Sequence, residues 1–225
     1  GSEMCIRDRY KSIARANTIL ANMDKAVNMG ISEVKLKQYE GEAFFQRASC
    51  YARLVTYFGD VIYVTEVVDI DKAFTLGRTA KSEIVPKIYE DYDKAIENLP
   101  EKYSGLSSQR ATKGAALALK ARFALYMGDW DIVADATKKC MDLGIYKLHK
   151  DYSDLFLSTT KNSEESIFLL PRSIEYKVTL GNWTVMNEVS RNPGGWGAFA
   201  PSWDLLAAYT LSLIHISEPT RRVVI

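Results

Sequence analysis

A chain of 225 residues, 47% apolar and 25% charged, is long enough to bury its own core without metal or disulfide staples. Its formal net charge is +1, with the two signs interspersed along the chain. That pattern lacks the basic stripe that displaces counterions from nucleic acid, so a nucleic-acid partner is not expected.

Residues 1–9 contain Met4-Cys5-Ile6-Arg7-Asp8-Arg9, and residues 211–225 open with Leu211-Ser212-Leu213-Ile214-His215. Both strings resemble translated sequencing-adapter DNA, so residues 1–9 (artefact or tag) and 211–225 are set aside. The authentic protein is expected to run from about Tyr10 to about Thr210 and to continue beyond both ends.

From Tyr10 to Met29, Ile13, Ala16, Ile19-Leu20, Met23 and Val27 repeat at helical spacing, and Gly30 supplies a stop. Ser32 is placed to cap a second helix reaching Phe58, with Lys35 where a capping box would carry Glu. Its stripe is Phe44, Ala48, Tyr51, Val55 and Phe58, and Gly59-Asp60 ends it. Val61 to Val68 reads as extended. A third helix is predicted from Ser82 to Pro100, with Pro86 tolerable near its first turn. The fourth, Thr112 to Met127, is rich in alanine, and Gly128-Asp129 turns the chain into a fifth helix ending at Gly144. Beyond it, Ser163 to Leu170 predicts a strand. Thr179 to Pro201, rich in Gly, Asn and Trp without a period, predicts a long loop of the kind that often carries function.

These segments predict a mainly α fold with a helical-hairpin region (10–144) and a loop-rich region of the same, incomplete domain (145–210). Ala118 to Ala136 resembles a tetratricopeptide hairpin, with small residues at the crossing and a short turn before the second helix. Tyr89 to Pro100 reads as the second helix of another. Stacked hairpins of this kind are binding scaffolds, and periodicity alone also fits a cytoplasmic helical-repeat adaptor for peptides.

A more specific resemblance lies in Gly41-Glu42-Ala43-Phe44-Phe45-Gln46-Arg47-Ala48, followed by Tyr51, Leu54 and Phe58-Gly59-Asp60-Val61. Four further groups follow in order: Ile88-Tyr89 to Leu99-Pro100; Arg110-Ala111-Thr112-Lys113-Gly114 to Gly128-Asp129-Trp130; Tyr146 to Phe168; and Pro201-Ser202-Trp203-Asp204 to Tyr209. Together they resemble the SusD/RagB family of nutrient-binding outer-membrane lipoproteins. The resemblance implies glycan or other oligomeric nutrient capture at the surface of a Gram-negative cell, beside a SusC-like TonB-dependent transporter. It implies contact with the membrane only through an N-terminal lipid anchor that this sequence lacks. Val61-Ile62 departs from the family's Val-Pro.

Little else points to chemistry. Cys50 and Cys140 fall in apolar helical stretches as small hydrophobes, and no zinc spacing is present. No nucleophile elbow, phosphate loop or HExxH occurs, so no catalytic residue, metal or cofactor is assigned. The pairs Glu40/Glu42 and Asp91/Asp93 are expected on solvated helix faces. His149 is expected to be a packing or surface residue, and a glycosidase is the third reading. Sugar binding combines flat aromatic platforms with amide and guanidinium donors, which selects Trp183 and Trp196 with Asn182, Arg191 and Asn192.

Overall fold

The computed structural model describes residues 2–105, 109–157, 160, 163–169, 196, 202–204 and 207. Two compact units divide the chain at Leu170/Pro171. The first holds seven α-helices among its described residues: α1 (Ser2–Ala21), α2 (Met23–Asn28), α3 (Glu33–Phe58), α4 (Ile70–Ala73), α5 (Lys81–Asn98), α6 (Lys113–Met127) and α7 (Trp130–Asp142). A single 3-10 turn follows at Ser153–Phe156. In the second unit Trp203, Asp204 and Ala207 are helical.

The first predicted helix is two. Asn22 breaks it, with φ −113° and ψ 10°. Its side chain donates to the Thr18 carbonyl at 2.8 Å, one turn after Thr18 donates to Ala14 at 2.9 Å. Such side-chain bonds to the preceding turn compete with the helix ladder and bend it. Ser32 occupies the cap of α3 but makes no side-chain cap bond, in keeping with the partial capping box. Along α3 the stripe Phe44, Ala48, Tyr51 and Val55 is buried as its spacing requires, whereas Phe58 is exposed at the last turn.

α5 starts at Lys81, one residue before the predicted start. Ala80 has no side chain to cap it, and Asp60 does so from a distance, accepting the Lys81 amide at 2.8 Å. Pro86 lies in the second turn of α5 rather than the first. α6 is capped by Thr112, whose hydroxyl accepts from the Ala115 amide. It ends on Gly128 at φ 83°, with Asp129 N bonded to Ala124 O and Gly128 N to Leu125 O. That bond pair closes a helix through a left-handed residue, which glycine adopts without a Cβ clash.

The helices pack as α1 on α3, α3 on α5, α5 on α6 and α6 on α7. Ala115, Ala116, Ala121 and Ala124 on α6 are buried, so two neighbouring helices approach it closely. Ile84, Ile88, Tyr92 and Ala95 of α5 fill the layer between α3 and α6. Leu117, Ala121, Ala136 and Cys140 form a smaller cluster between α6 and α7. Cys50 and Cys140 are buried free thiols, and burial pushes both above their ordinary pKa.

The predicted strand is absent. Residues 163–169 are irregular, with a turn at 164–165 and a bend at 167–168, and residue 170 lies outside the described residues. Their backbone link to the preceding chain is Lys147 N to Glu164 O at 3.3 Å. A strand needs a neighbour for its ladder, and none pairs with it among the described residues. Instead Ile167 and Phe168 pack on the helical core, with Phe168 edge-on to Phe45 at 5.4 Å. Among the described residues the one β pairing is an isolated bridge between Val61 and Thr79.

Candidate functional site

The extended segment after α3 is hydrogen-bonded by side chains of α1 and α3, one of which is itself anchored on α5. Arg47 of α3 forms two parallel bonds to Asp91 of α5, Nε to Oδ2 at 2.7 Å and Nη2 to Oδ1 at 2.8 Å. Its remaining nitrogen donates to Asn17 of α1 at 3.0 Å and to the Thr65 carbonyl at 3.3 Å. Asn17 in turn donates to the carbonyls of Val64 and Glu66. Tyr51 donates to Val64 O at 2.9 Å and accepts from Val64 N at 2.8 Å, while Tyr10 donates to Ile62 O. Every backbone group so engaged is one that an isolated, unpaired strand would have left wanting a partner.

The pair at the centre is nearly dry, with side chains 7% and 5% exposed. Burial opposes the Arg47 charge, but the Asp91 bonds and carboxylate outweigh it and hold the guanidinium above its ordinary pKa. The Arg47 guanidinium also lies 5.3 Å from the Phe44 ring centroid. Asp91 therefore corrects the sequence expectation of a solvated face: α3 places a guanidinium opposite it. The other acidic neighbours are engaged nearer the surface. Glu42 accepts from Arg110 at 2.7 Å, Asp93 from Lys120 at 2.6 Å, and Glu40 from Asn98 at 3.2 Å. His149 is half-buried, with Nδ1 3.4 Å from Ser163 Oγ and its amide donating to Glu165.

Beyond the clamp, the segment carries α4, capped by Asp69 accepting the Lys72 amide at 2.8 Å, and a Lys72–Glu66 ion pair at 2.5 Å. Phe74 follows and is 87% exposed. Its ring presents an apolar face to solvent. Sequence reasoning passed over Phe74; its available signal was a lone aromatic in the polar stretch Asp69 to Arg78.

Of the five residues selected from sequence, Trp196 is described and is 44% exposed. Trp183, Asn182, Arg191 and Asn192 lie outside the described residues. Among the described residues no group of His, Cys, Asp and Glu could hold a metal ion, and no helix is long and apolar enough to cross a membrane.

The family described as SusD-like, starch-binding and associating with outer membrane matches residues 6–125, the span of α1 to α6. The chain belongs to the SusD-like family. A SusD-like protein of Formosa agariphila is 30% identical over 167 residues, 73% of this chain and 31% of the relative. A SusD-like carbohydrate-binding protein from Bacteroides fragilis superposes with a TM-score of 0.75 at 27% identity, covering 90% of this chain and 39% of that one. Surface glycan-binding protein A from Bacteroides fluxus gives 0.61 at 30% identity, covering 73% and 36%. This SusD-like chain spans between 31% and 40% of the length of the curated relatives it matches. As in those helical neighbours, the fold is mainly α with tetratricopeptide-like hairpins.

Proposed function

We propose that the full-length protein captures glycan at the outer surface of a Gram-negative cell and passes it to a SusC-like TonB-dependent transporter. The observation that supports this most is the family match over residues 6–125, which falls on the helices that build the Arg47–Asp91 clamp. Relatives described as carbohydrate-binding or surface glycan-binding share the fold at 27% and 30% identity. The work done is binding, not bond cleavage. Attachment to the outer membrane runs through a lipid anchor on the full-length protein.

Contact with sugar falls on aromatic faces flanked by amide and guanidinium donors: Trp183 and Trp196 with Asn182, Arg191 and Asn192. Phe74 offers a further face in the first unit. Calorimetric titration of the full-length protein with laminarin, starch and xyloglucan oligosaccharides tests the reading. Saturable binding to one class, weakened roughly tenfold by Trp183→Ala or Trp196→Ala, is expected for loss of one stacked ring and its contacts. Absence of binding to every glycan class, with the protein folded, would overturn it. Co-purification with the transporter encoded beside it tests the partner.

A further inference from the structure

A cleft of about 760 Å³ opens where α3 ends, α5 begins and α6 turns into α7. Val85, Pro86, Met127 and Ile132 give it an apolar wall, and Asp60, Ser82, Tyr89 and Asp129 bring polar groups to it, with Lys81 alongside. Its lining includes neither the clamp residues nor Phe74.

Its polar groups are chiefly acceptors. Asp60 uses Oδ1 to cap the Lys81 amide, and Asp129 uses Oδ2 to accept the Tyr89 hydroxyl at 2.5 Å. Burial, reinforced by the Asp129 carboxylate, raises the Tyr89 pKa, so the phenol stays protonated as that donor. The second oxygen of each carboxylate has no protein donor among the described residues. Pro86 adds another acceptor: lacking an N–H, it leaves the Ser82 carbonyl without the amide that would bond it one turn on. Neither carboxylate is ion-paired among the described residues. Lys120, 5.9 Å from the Tyr89 ring centroid, is committed to Asp93.

Two candidate ligand classes suit such a cleft unequally. A sugar needs an open aromatic face, but the Tyr89 ring is buried and packed on Phe123 at 5.5 Å. A guanidinium on an alkyl stem matches both halves, because its five N–H donors can span two carboxylates while the stem lies along apolar side chains. The surroundings favour a macromolecule as its source. Tyr57, Phe58, Tyr126 and Trp130, within a few residues of the lining along the chain, are all exposed. Exposed aromatics around a charged anchor point are typical of protein interfaces.

We propose that this cleft receives an arginine side chain presented by a partner protein, with its guanidinium on Asp60 and Asp129 and its stem against Val85, Pro86, Met127 and Ile132. The test titrates the full chain with the capped tripeptide acetyl-Gly-Arg-Gly-amide, its citrulline counterpart and spermidine. The arginine peptide is expected to saturate in the millimolar range, as one anchoring side chain allows. The citrulline peptide, equal in shape but uncharged, binds at least about tenfold more weakly. Asp129→Asn weakens the arginine peptide by about the same factor. Because that variant also loses the charged partner of Tyr89, Lys81→Gln supplies a readout that misfolding does not mimic: removing the like charge tightens binding roughly threefold. Equal binding of the citrulline peptide, no saturation, or no gain in Lys81→Gln overturns the assignment. Spermidine binding as tightly as the arginine peptide also overturns it, by assigning the cleft to a free amine.

Discussion

Arg47 and Asp91 meet through two parallel hydrogen bonds between the middles of α3 and α5, and the same guanidinium reaches the backbone of Thr65. A buried charge pair of this kind contributes little by existing, but losing one member strands the other away from water. Arg47→Met or Asp91→Asn is expected to lower stability by about 3–5 kcal/mol in urea unfolding. Replacing both with apolar residues of similar size recovers most of that loss, because no charge is left unpaired. Equal destabilisation by the double variant would show that Arg47 acts chiefly through Asn17 and Thr65.

Tyr51 both donates to and accepts from Val64, so its hydroxyl stands in for a neighbouring strand. Tyr51→Phe leaves the Val64 amide and carbonyl one partner short, at a cost of about 1–3 kcal/mol. Hydrogen exchange at the Val64 amide should accelerate more than exchange in the middle of α6. Uniform acceleration across the chain would place the effect in global stability instead.

Gly41 of α3 packs against the C-terminal end of α5: an added Cβ would lie 2.9 Å from Leu99 Cγ and 3.1 Å from Asn98 Cβ. Alanine is the better helix former by about 1 kcal/mol. Overpacking against the buried Leu99 costs about 1–3 kcal/mol, so Gly41→Ala is expected to lower the melting temperature. A rise would mean that α5 can yield at that point.

Several phenols are held protonated. Burial, the largest cause in each case, pushes Tyr63, Tyr92 and Tyr103 up to about 12. Unfolded phenols ionise near pH 10, so between about pH 10 and 12 the unfolded chain binds fewer protons than the folded one. The stabilising contribution is complete below about pH 10 and is lost as pH rises through 12. Ultraviolet titration should show tyrosinate appearing late and together with loss of helical circular dichroism. Ionisation of all thirteen tyrosines at pH 10 with helicity intact would contradict this.

Phe74 is 87% exposed on the clamped segment. Phe74→Ala should therefore change stability by no more than about 0.5 kcal/mol. If its ring serves as a sugar platform, glycan affinity falls while the urea midpoint stays in place. A fall in the midpoint would assign Phe74 to packing.

The helices were legible because each writes its buried stripe and its stops into consecutive residues. Phe44, Ala48, Tyr51 and Val55 lie at 3.6-residue spacing, and Gly128 marks the turn between α6 and α7. Family resemblance was legible for the same reason, since its groups follow one another along the chain. Of the sugar-contact selection, Trp196 is exposed, and the other four residues lie outside the described region.

Local features were readable along the chain: which segments are helical, where most of them stop, and which family pattern they follow. Relationships between distant residues came from packing. Asp91 reads as a surface acid until Arg47, 44 positions earlier, is brought against it. Ser163 to Leu170 fits a strand by pattern, yet no neighbour among the described residues pairs with residues 163–169. The start of α5 is set by Asp60 across a loop, and the cleft beside it exists only because three chain segments converge. Periodicity and capping act over one or two helical turns, whereas charge pairing, ladder formation and cleft shape depend on which segments pack together, and that is settled only when the whole core closes.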